Sequence, residues 1–215
     1  TSKTQITPPQ PTLPISTTND SLAIQTAQNY YPGAEGQGVI SVYPLSNLGG
    51  KPSTISSDHW LIGASRDSLL LSPYSPTNGN DWSTRFRPFT VTQMGTDGTV
   101  RRTITGVNRV YPGGWLQRFS DPAAAATLAA STVGKDDDQT RAAWNALPTQ
   151  IVDLNSGSTH DLTGGRAESV GVPTGPGLLI SHETADDNGS PQQFWLSADD
   201  DGHPHTENLE QFKDN

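Results

Sequence analysis

Two histidines near the carboxyl end, together with nearby acids, are the residues best suited to hold a metal ion. His203 and His205 are separated by one proline, and Asp199 and Asp201 precede them. Imidazole nitrogens and carboxylate oxygens are ordinary ligands of divalent metals. The same residues are also typical of a solvated acidic segment, and we favour that interpretation. We therefore predict no metal and no other cofactor.

Acidic turns and scattered carboxylates suggest two further kinds of chemistry. Aspartates at 186–187 and 199–201 stand beside Asn or Gly and could offer oxygen ligands to calcium, although neither stretch has EF-hand spacing. A glycosidase needs two carboxylates facing each other across a cleft, and Glu168, Glu183 and Asp161 are conceivable members of such a pair. Nothing in the sequence selects them, and no nucleophile elbow, P-loop, dinucleotide fingerprint or cysteine is present. We therefore predict a protein that is not an enzyme and has no catalytic residue.

Aromatic residues beside turn-forming residues are the most suggestive binding groups. Such rings can stack on the apolar face of a ligand while neighbouring loop groups form hydrogen bonds with it. The predicted site for a protein or glycan ligand consists of Tyr74, Asn78, Trp82 and Trp115. The alternative interpretation is that these rings close the ends of a β-sandwich core.

Charge and hydropathy exclude two classes of partner. The chain of 215 residues has 22 acidic and 13 basic residues and a formal net charge of −9. Nucleic-acid binding needs a concentrated basic surface, whereas the basic clusters at 85–87 and 101–102 are short. No segment approaches the roughly 18 apolar residues of a membrane span. We predict neither a nucleic-acid partner nor membrane insertion.

Turn residues divide the chain into short apolar runs. The 21 Gly and 17 Pro residues are typical of strands joined by loops. Capping aspartates predict two exceptions, a helix from Asp121 to residue 130 and a second through residue 147. The sequence therefore predicts an all-β fold, an antiparallel β-sandwich or barrel with long loops and one or two short helices near 121–147. Strands are predicted at 39–43, 60–62, 68–71, 85–94, 100–110, 150–154, 166–172, 177–181 and 193–196.

Three regions are predicted along the chain. Residues 1–20 read as a proline-rich tether, with an ordered arm lying on the domain as the alternative. Residues 21–197 are predicted to form a single β domain. Residues 198–215 are predicted to be an acidic polar tail that frays. Because the chain starts at Thr1 without a signal-peptide pattern, we expect a piece of a longer polypeptide or a trimmed chain.

The proline-rich entry Pro8-Pro9-Gln10-Pro11, the hairpins between Val39 and Phe119 and the acidic exit Asp199-Asp200-Asp201 support a family resemblance. In this composition the chain resembles the projecting spike domain of small non-enveloped RNA virus capsids, of the astrovirus or hepevirus type. No site residue is carried over, and the alanine-rich helix at 123–130 departs from the pattern. The resemblance implies a non-enzymatic recognition domain on the virion surface, or otherwise extracellular. Such a domain would attach to a host-cell protein or glycan receptor and carry antibody epitopes.

Two other interpretations stay open. The scarcity of lysine and the alanine-rich stretch suit a secreted or envelope-anchored bacterial β domain with a structural or binding role. The third interpretation is a carbohydrate-active enzyme or its carbohydrate-binding module. We also predict a two-fold homodimer, because a projecting domain is poorly fixed by a single tether and two-fold pairing is the commonest closed arrangement.

Overall fold

The computed structural model describes residues 12–26, 38–73, 88–135, 137–162, 166–169, 177–183, 192–198 and 203–208. These residues form short strands, two helices and a 3-10 turn at Leu45–Asn47. The helices are α1 (Pro122–Ser131) and α2 (Asp138–Asn145). The strands are β1 (Thr12–Thr17), β2 (Ser21–Thr26), β3 (Gly38–Pro44), β4 (Ser53–Ser57), β5 (Trp60–Ala64), β6 (Ser68–Ser72), β7 (Phe89–Gly95), β8 (Val100–Tyr111), β9 (Trp115–Phe119), β10 (Thr149–Asp153), β11 (Thr159–Leu162), β12 (Arg166–Ser169), β13 (Gly177–Glu183), β14 (Gln192–Ala198) and β15 (Pro204–Asn208).

The strands assemble into three antiparallel sheets, so the all-β prediction is confirmed. Their orders are β1-β2-β3-β4, β11-β10-β9-β8-β7-β6-β5 and β12-β13-β14-β15, and within the described ranges no sheet closes into a barrel. The predicted strands correspond to β3, β5, β6, β7, β8, β10, β12, β13 and β14. Residues 85–87 and 170–172 of those predictions lie outside the described residues.

The chain divides into two compact units. Unit 1 comprises Thr1–Arg85 and Phe89–Thr105, and unit 2 comprises Phe86–Pro88 and Gly106–Asn215. Strand β8 contributes its first half to unit 1 and its second half to unit 2.

Unit 1 has a core between two sheet layers. Direct pairing of Ala23 with Val42, and of Ile40 with Ile55, brings alternate residues of β2, β3 and β4 to one face. That face packs against side chains of β5 and β6 in one buried cluster: Ala23, Ile40, Val42, Leu61, Leu69 and Leu71. Sheet-on-sheet packing of this kind is typical of a β-sandwich.

Unit 2 repeats this arrangement with different strands. Side chains of β8–β11 pack against side chains of β13 and β14 in the cluster Tyr111, Trp115, Ile151, Leu162, Leu178, Ile180 and Leu196. A second cluster places Ala125 of α1 and Trp144 of α2 against Phe119, whose ring centroid is 5.5 Å from that of Trp144. The helices therefore cover one part of unit 2.

Both helices begin where the sequence predicted. Asp121 accepts hydrogen bonds from the Ala123 and Ala124 amides, at 2.9 and 3.0 Å. Asp137 accepts one from the Thr140 amide at 2.7 Å. These bonds satisfy amide groups that a helix leaves without partners in its first turn. Neither described helix has the length and apolar character needed to cross a membrane.

Two strands lie in segments that the sequence described differently. Strand β1 falls within the predicted tether 1–20, yet it pairs with β2 from Thr12 to Thr17, with a bulge between Leu13 and Ile15. Strand β15 falls within the predicted tail 198–215, yet it pairs with β14. Backbone pairing at a sheet edge needs little apolar sequence, which is why composition alone suggested extended or fraying chain. At these residues the chain is part of the sheets.

Candidate binding face on the β12–β15 sheet

The four residues predicted to bind a ligand are not brought together among the described residues. Tyr74, Asn78 and Trp82 lie outside the described ranges. Trp115 is 3% exposed and belongs to the core of unit 2, where its backbone pairs with that of Tyr111 across the β8–β9 turn. Trp115 therefore follows the alternative interpretation, in which an aromatic ring next to a turn closes the end of a core.

Only two of the four weak metal candidates lie among the described residues. Asp199 and Asp201 lie outside the described residues, as do the aspartates at 186–187. His203 and His205 are exposed at the start of β15. In the part of the chain that is described, no three His, Asp or Glu residues gather into a group able to hold a metal ion.

The carboxylates considered for glycoside hydrolysis lie on two sheets of unit 2. Glu168 of β12 pairs with Ser181, and Glu183 of β13 pairs with Arg166, so the two glutamates occupy neighbouring strands. Asp161 lies on β11, where its Oδ1 accepts a hydrogen bond from Gln150 Nε2 at 2.7 Å. Asp161 is therefore hydrogen-bonded to a residue of its own sheet, which is not the sheet that contains Glu168 and Glu183.

The short basic cluster at 101–102 is engaged with neighbouring side chains. Arg101 Nη1 lies 2.6 Å from Asp67 Oδ2, and Arg102 Nε donates to Gln93 Oε1 at 2.7 Å. The hydrogen bond from Arg101, followed by one from Ser68, lowers the pKa of Asp67 below its usual value. The cluster at 85–87 lies outside the described residues.

A candidate binding face that the sequence did not predict lies on the β12–β15 sheet. Leu178, Ile180 and Leu196 place one face of this sheet in the core of unit 2, and Phe194 packs against that core. Because successive strand residues alternate between faces, Trp195 and Ser197 belong to the opposite face. Glu207 pairs with Trp195, and His205 pairs with Ser197. We call Trp195, Ser197, His205 and Glu207 the Trp195 face.

Gly177 determines how the indole of Trp195 lies on this face. A Cβ atom placed on Gly177 would lie within 2.5 Å of the Trp195 Cζ2 and Nε1 atoms, a separation that real side chains do not adopt. The ring therefore occupies the space above the backbone of β13, which only glycine leaves open. Trp195 is partly buried in this position and keeps some contact with solvent.

Polar groups of β14 and β15 lie on one side of the indole, whereas its partner on β13 is Leu179. Glu207 and His205 have side chains that are 65% and 58% exposed, and His205 Nε2 lies 3.6 Å from Glu207 Oε1. That separation exceeds a hydrogen bond, so the two side chains interact weakly. The arrangement combines a flat apolar ring with hydroxyl, imidazole and carboxylate groups.

The sequence did contain a signal for this face. Phe194 and Trp195 are adjacent in a predicted strand, and adjacent strand residues point to opposite faces. One of the two aromatic rings must therefore leave the core. The aromatic residues predicted to bind a ligand all stand beside turns, whereas Phe194 and Trp195 lie inside a strand.

Comparisons with known proteins provide no family. No protein-family model matches the chain, and no curated protein matches it. Among solved structures, the chain is similar to one described as the crystal structure of the eukaryotic initiation factor, with 11% sequence identity and a TM-score of 0.31. The alignment covers 92% of this chain and 55% of that chain. A match of this quality supports no statement about fold or function.

Proposed function

We propose that this protein is a non-enzymatic recognition domain that binds a glycan through the Trp195 face. The observation that carries the proposal is the indole of Trp195, which lies against the Gly177 backbone on the sheet face opposite the core. One side of a sugar ring is a flat array of C–H groups that can stack on an indole. The hydroxyl groups at its rim need hydrogen-bond partners of the kind that Ser197, His205 and Glu207 carry.

The packing of unit 2 favours a binding role for this tryptophan over a purely structural one. Strand β14 already supplies Leu196 to the core, and Phe194 packs against it. Trp195 lies between these two residues along the strand, so its side chain points to the opposite face of the sheet, away from that cluster. A large aromatic side chain on a partly solvated sheet face, bordered by polar residues, is typical of a surface that meets a ligand.

A glycan-binding face agrees with each interpretation of the sequence that expects binding. A capsid projection would use it to attach to a host-cell receptor, a bacterial envelope domain to hold a surface polysaccharide, and a carbohydrate-binding module to hold a substrate. The proposal concerns the binding face and is the same for all three. Location on a virion surface or outside a cell, recognition by antibodies and dimer formation stay predictions.

The test compares Trp195→Ala with Thr206→Ala on a panel of immobilised neutral, amino and acidic oligosaccharides, followed by calorimetry on any that bind. Thr206 is an exposed residue of β15 whose position pairs with core-facing Leu196, so it serves as a matched control. Loss of a central aromatic contact typically costs about 2 kcal/mol, so we expect Trp195→Ala to weaken binding roughly 30-fold. We expect Thr206→Ala to bind as the unsubstituted protein does.

A second variant separates removal of the ring from its displacement. Gly177→Ala keeps the indole but forces it away from the β13 backbone, because the added methyl group would overlap the ring. We expect it to weaken binding as well, with Trp195→Phe intermediate. Unchanged glycan binding in Trp195→Ala, with the thermal transition preserved, would refute the proposal. A panel on which no glycan binds would do the same.

A further inference from the structure

The charges on the Trp195 face point to a particular class of sugar. We propose that this face prefers glycans that carry protonated amino groups over neutral glycans, and neutral glycans over acidic ones. This inference rests on the proposed glycan-binding function. It adds to that function the chemical class of the ligand.

The carboxylate of Glu207 supplies a negative charge on the strand next to Trp195. Glu207 is the direct cross-strand partner of Trp195, and opposed residues in an antiparallel pair have Cβ atoms roughly 4.5–5.5 Å apart. Its side chain is 65% exposed, and its ion-pair contact with His205 is long, at 3.6 Å. This separation is too long for a hydrogen bond, so the carboxylate stays open to a ligand group beside the indole.

Two attractions then act on the same ligand group. An ammonium group near the indole is drawn to the negative face of the ring by a cation–π attraction. The neighbouring Glu207 carboxylate attracts the same group by charge. Because both attractions act on the same group, a sugar with a protonated amine binds more tightly than a sugar whose amine is acetylated and uncharged.

Negative charge disfavours acidic sugars. The Glu207 carboxylate, which is 65% exposed, repels an anionic sugar by the same charge that attracts an amine. The chain as a whole carries a formal net charge of −9, which repels approaching anions at low salt. The imidazole of His205, whose Nε2 lies 3.6 Å from Glu207 Oε1, competes with a ligand amine for this carboxylate and so opposes the selectivity.

The experiment measures binding of three tetrasaccharides by calorimetry at pH 6 and low salt. The probes are tetramers of glucosamine, of N-acetylglucosamine and of galacturonic acid. For the unsubstituted protein we expect about fivefold tighter binding of the glucosamine tetramer than of the N-acetylglucosamine tetramer, and the weakest binding of the galacturonic acid tetramer. Added salt should reduce the preference for the glucosamine tetramer over the N-acetylglucosamine tetramer, because an exposed charge pair is screened.

Two variants assign the preference to its cause. We expect Glu207→Gln to lose the preference for glucosamine while it still binds the N-acetylglucosamine tetramer. We expect His205→Ala to keep the preference or to increase it. An unchanged ratio in Glu207→Gln, or tighter binding of the galacturonic acid tetramer than of the glucosamine tetramer, would overturn the charge assignment. Equal binding of all three would overturn it too and leave glycan binding intact, whereas binding of none would overturn the proposed function as well.

Discussion

Replacing Gln25 with leucine should destabilise unit 1, because this side chain completes the hydrogen bonding of a neighbouring strand. Gln25 is 0% exposed on β2. Its Nε2 donates to the backbone oxygen of His59 at 2.8 Å, and its Oε1 accepts from the backbone amide of Leu61 at 2.7 Å. The side-chain amide thus satisfies two backbone groups at the start of β5, the oxygen of His59 just before the strand and the amide of Leu61 within it.

The size of the effect follows from which group loses its partner. The His59 oxygen also accepts a hydrogen bond from Ser57 Oγ at 3.2 Å, so it keeps one donor in Gln25→Leu. The Leu61 amide belongs to a residue that is 1% exposed, and water cannot readily replace its acceptor. A buried donor without a partner costs about 1–3 kcal/mol, and the apolar leucine side chain offsets part of this. We expect a net loss of about 1–2 kcal/mol.

Urea unfolding and amide hydrogen exchange measure this loss. With a urea dependence near 2 kcal/mol per molar, the midpoint of unit 1 should fall by about 0.5–1 M. The Leu61 amide should exchange faster than its neighbours in β5, since it has lost its acceptor.

Gln150→Leu is the matched control for this substitution. The Gln150 side chain also makes two hydrogen bonds, with Arg118 at 3.1 Å and Asp161 at 2.7 Å, but its partners are side chains that water can reach. We expect a change within about 0.5 kcal/mol. Equal midpoint shifts in the two variants, or an unchanged exchange rate at Leu61, would refute the reasoning.

Two further predictions concern a close contact in unit 2 and an ion pair in unit 1. Gly106 has a φ of +72°, and a Cβ atom there would lie 2.8 Å from Pro122, whereas Gly134 has a φ of +73° and no atom within 4 Å of that position. Thermal unfolding should therefore show a loss of about 1–2 kcal/mol in Gly134→Ala from backbone strain alone, and a larger loss in Gly106→Ala; equal losses would exclude the contact as a cause. The pKa of Asp67 is lowered in the folded state, mainly by Arg101, so this carboxylate stabilises the fold above its unfolded pKa and the contribution disappears as the pH falls below about 4. Unfolding midpoints measured from pH 7 to pH 2.5 should accordingly fall less steeply in Asp67→Asn and in Arg101→Gln than in the unsubstituted protein, and identical slopes would contradict the assignment.

Local chemistry explains which elements the sequence could predict. The two helices were predictable because Asp121 and Asp137 cap their first turns through short hydrogen bonds within the same segment. The hairpin of β7 and β8 was predictable because its turn residues lie between two runs of strand-forming residues. In each case the residues that determine the element lie within it or directly beside it along the chain.

The strands that escaped prediction depend on distant partners. Strand β4 has one apolar residue, Ile55, which is held by pairing with Ile40 and by the core of unit 1. Strands β1 and β15 lie at sheet edges and pair along one neighbour each, β2 and β14. Their own side chains carry little strand signal, because the neighbouring strand supplies the hydrogen bonds. Such elements follow from the sheet and not from their own sequence.

Two tryptophans of unit 2 show how the position of a residue along a strand determines which face its ring occupies. Trp115 stands beside a turn, which suggested exposure, yet its parity on β9 matches the core-facing side and it is 3% exposed. Trp195 stands within a strand, and it faces the side opposite to Phe194 and Leu196, both of which pack with the core. On β14, the alternation of side chains relative to Leu196 therefore separates the ring of Phe194, which packs with the core, from that of Trp195. The glycine at position 177 agrees with this placement, since a side chain there would overlap the indole of Trp195.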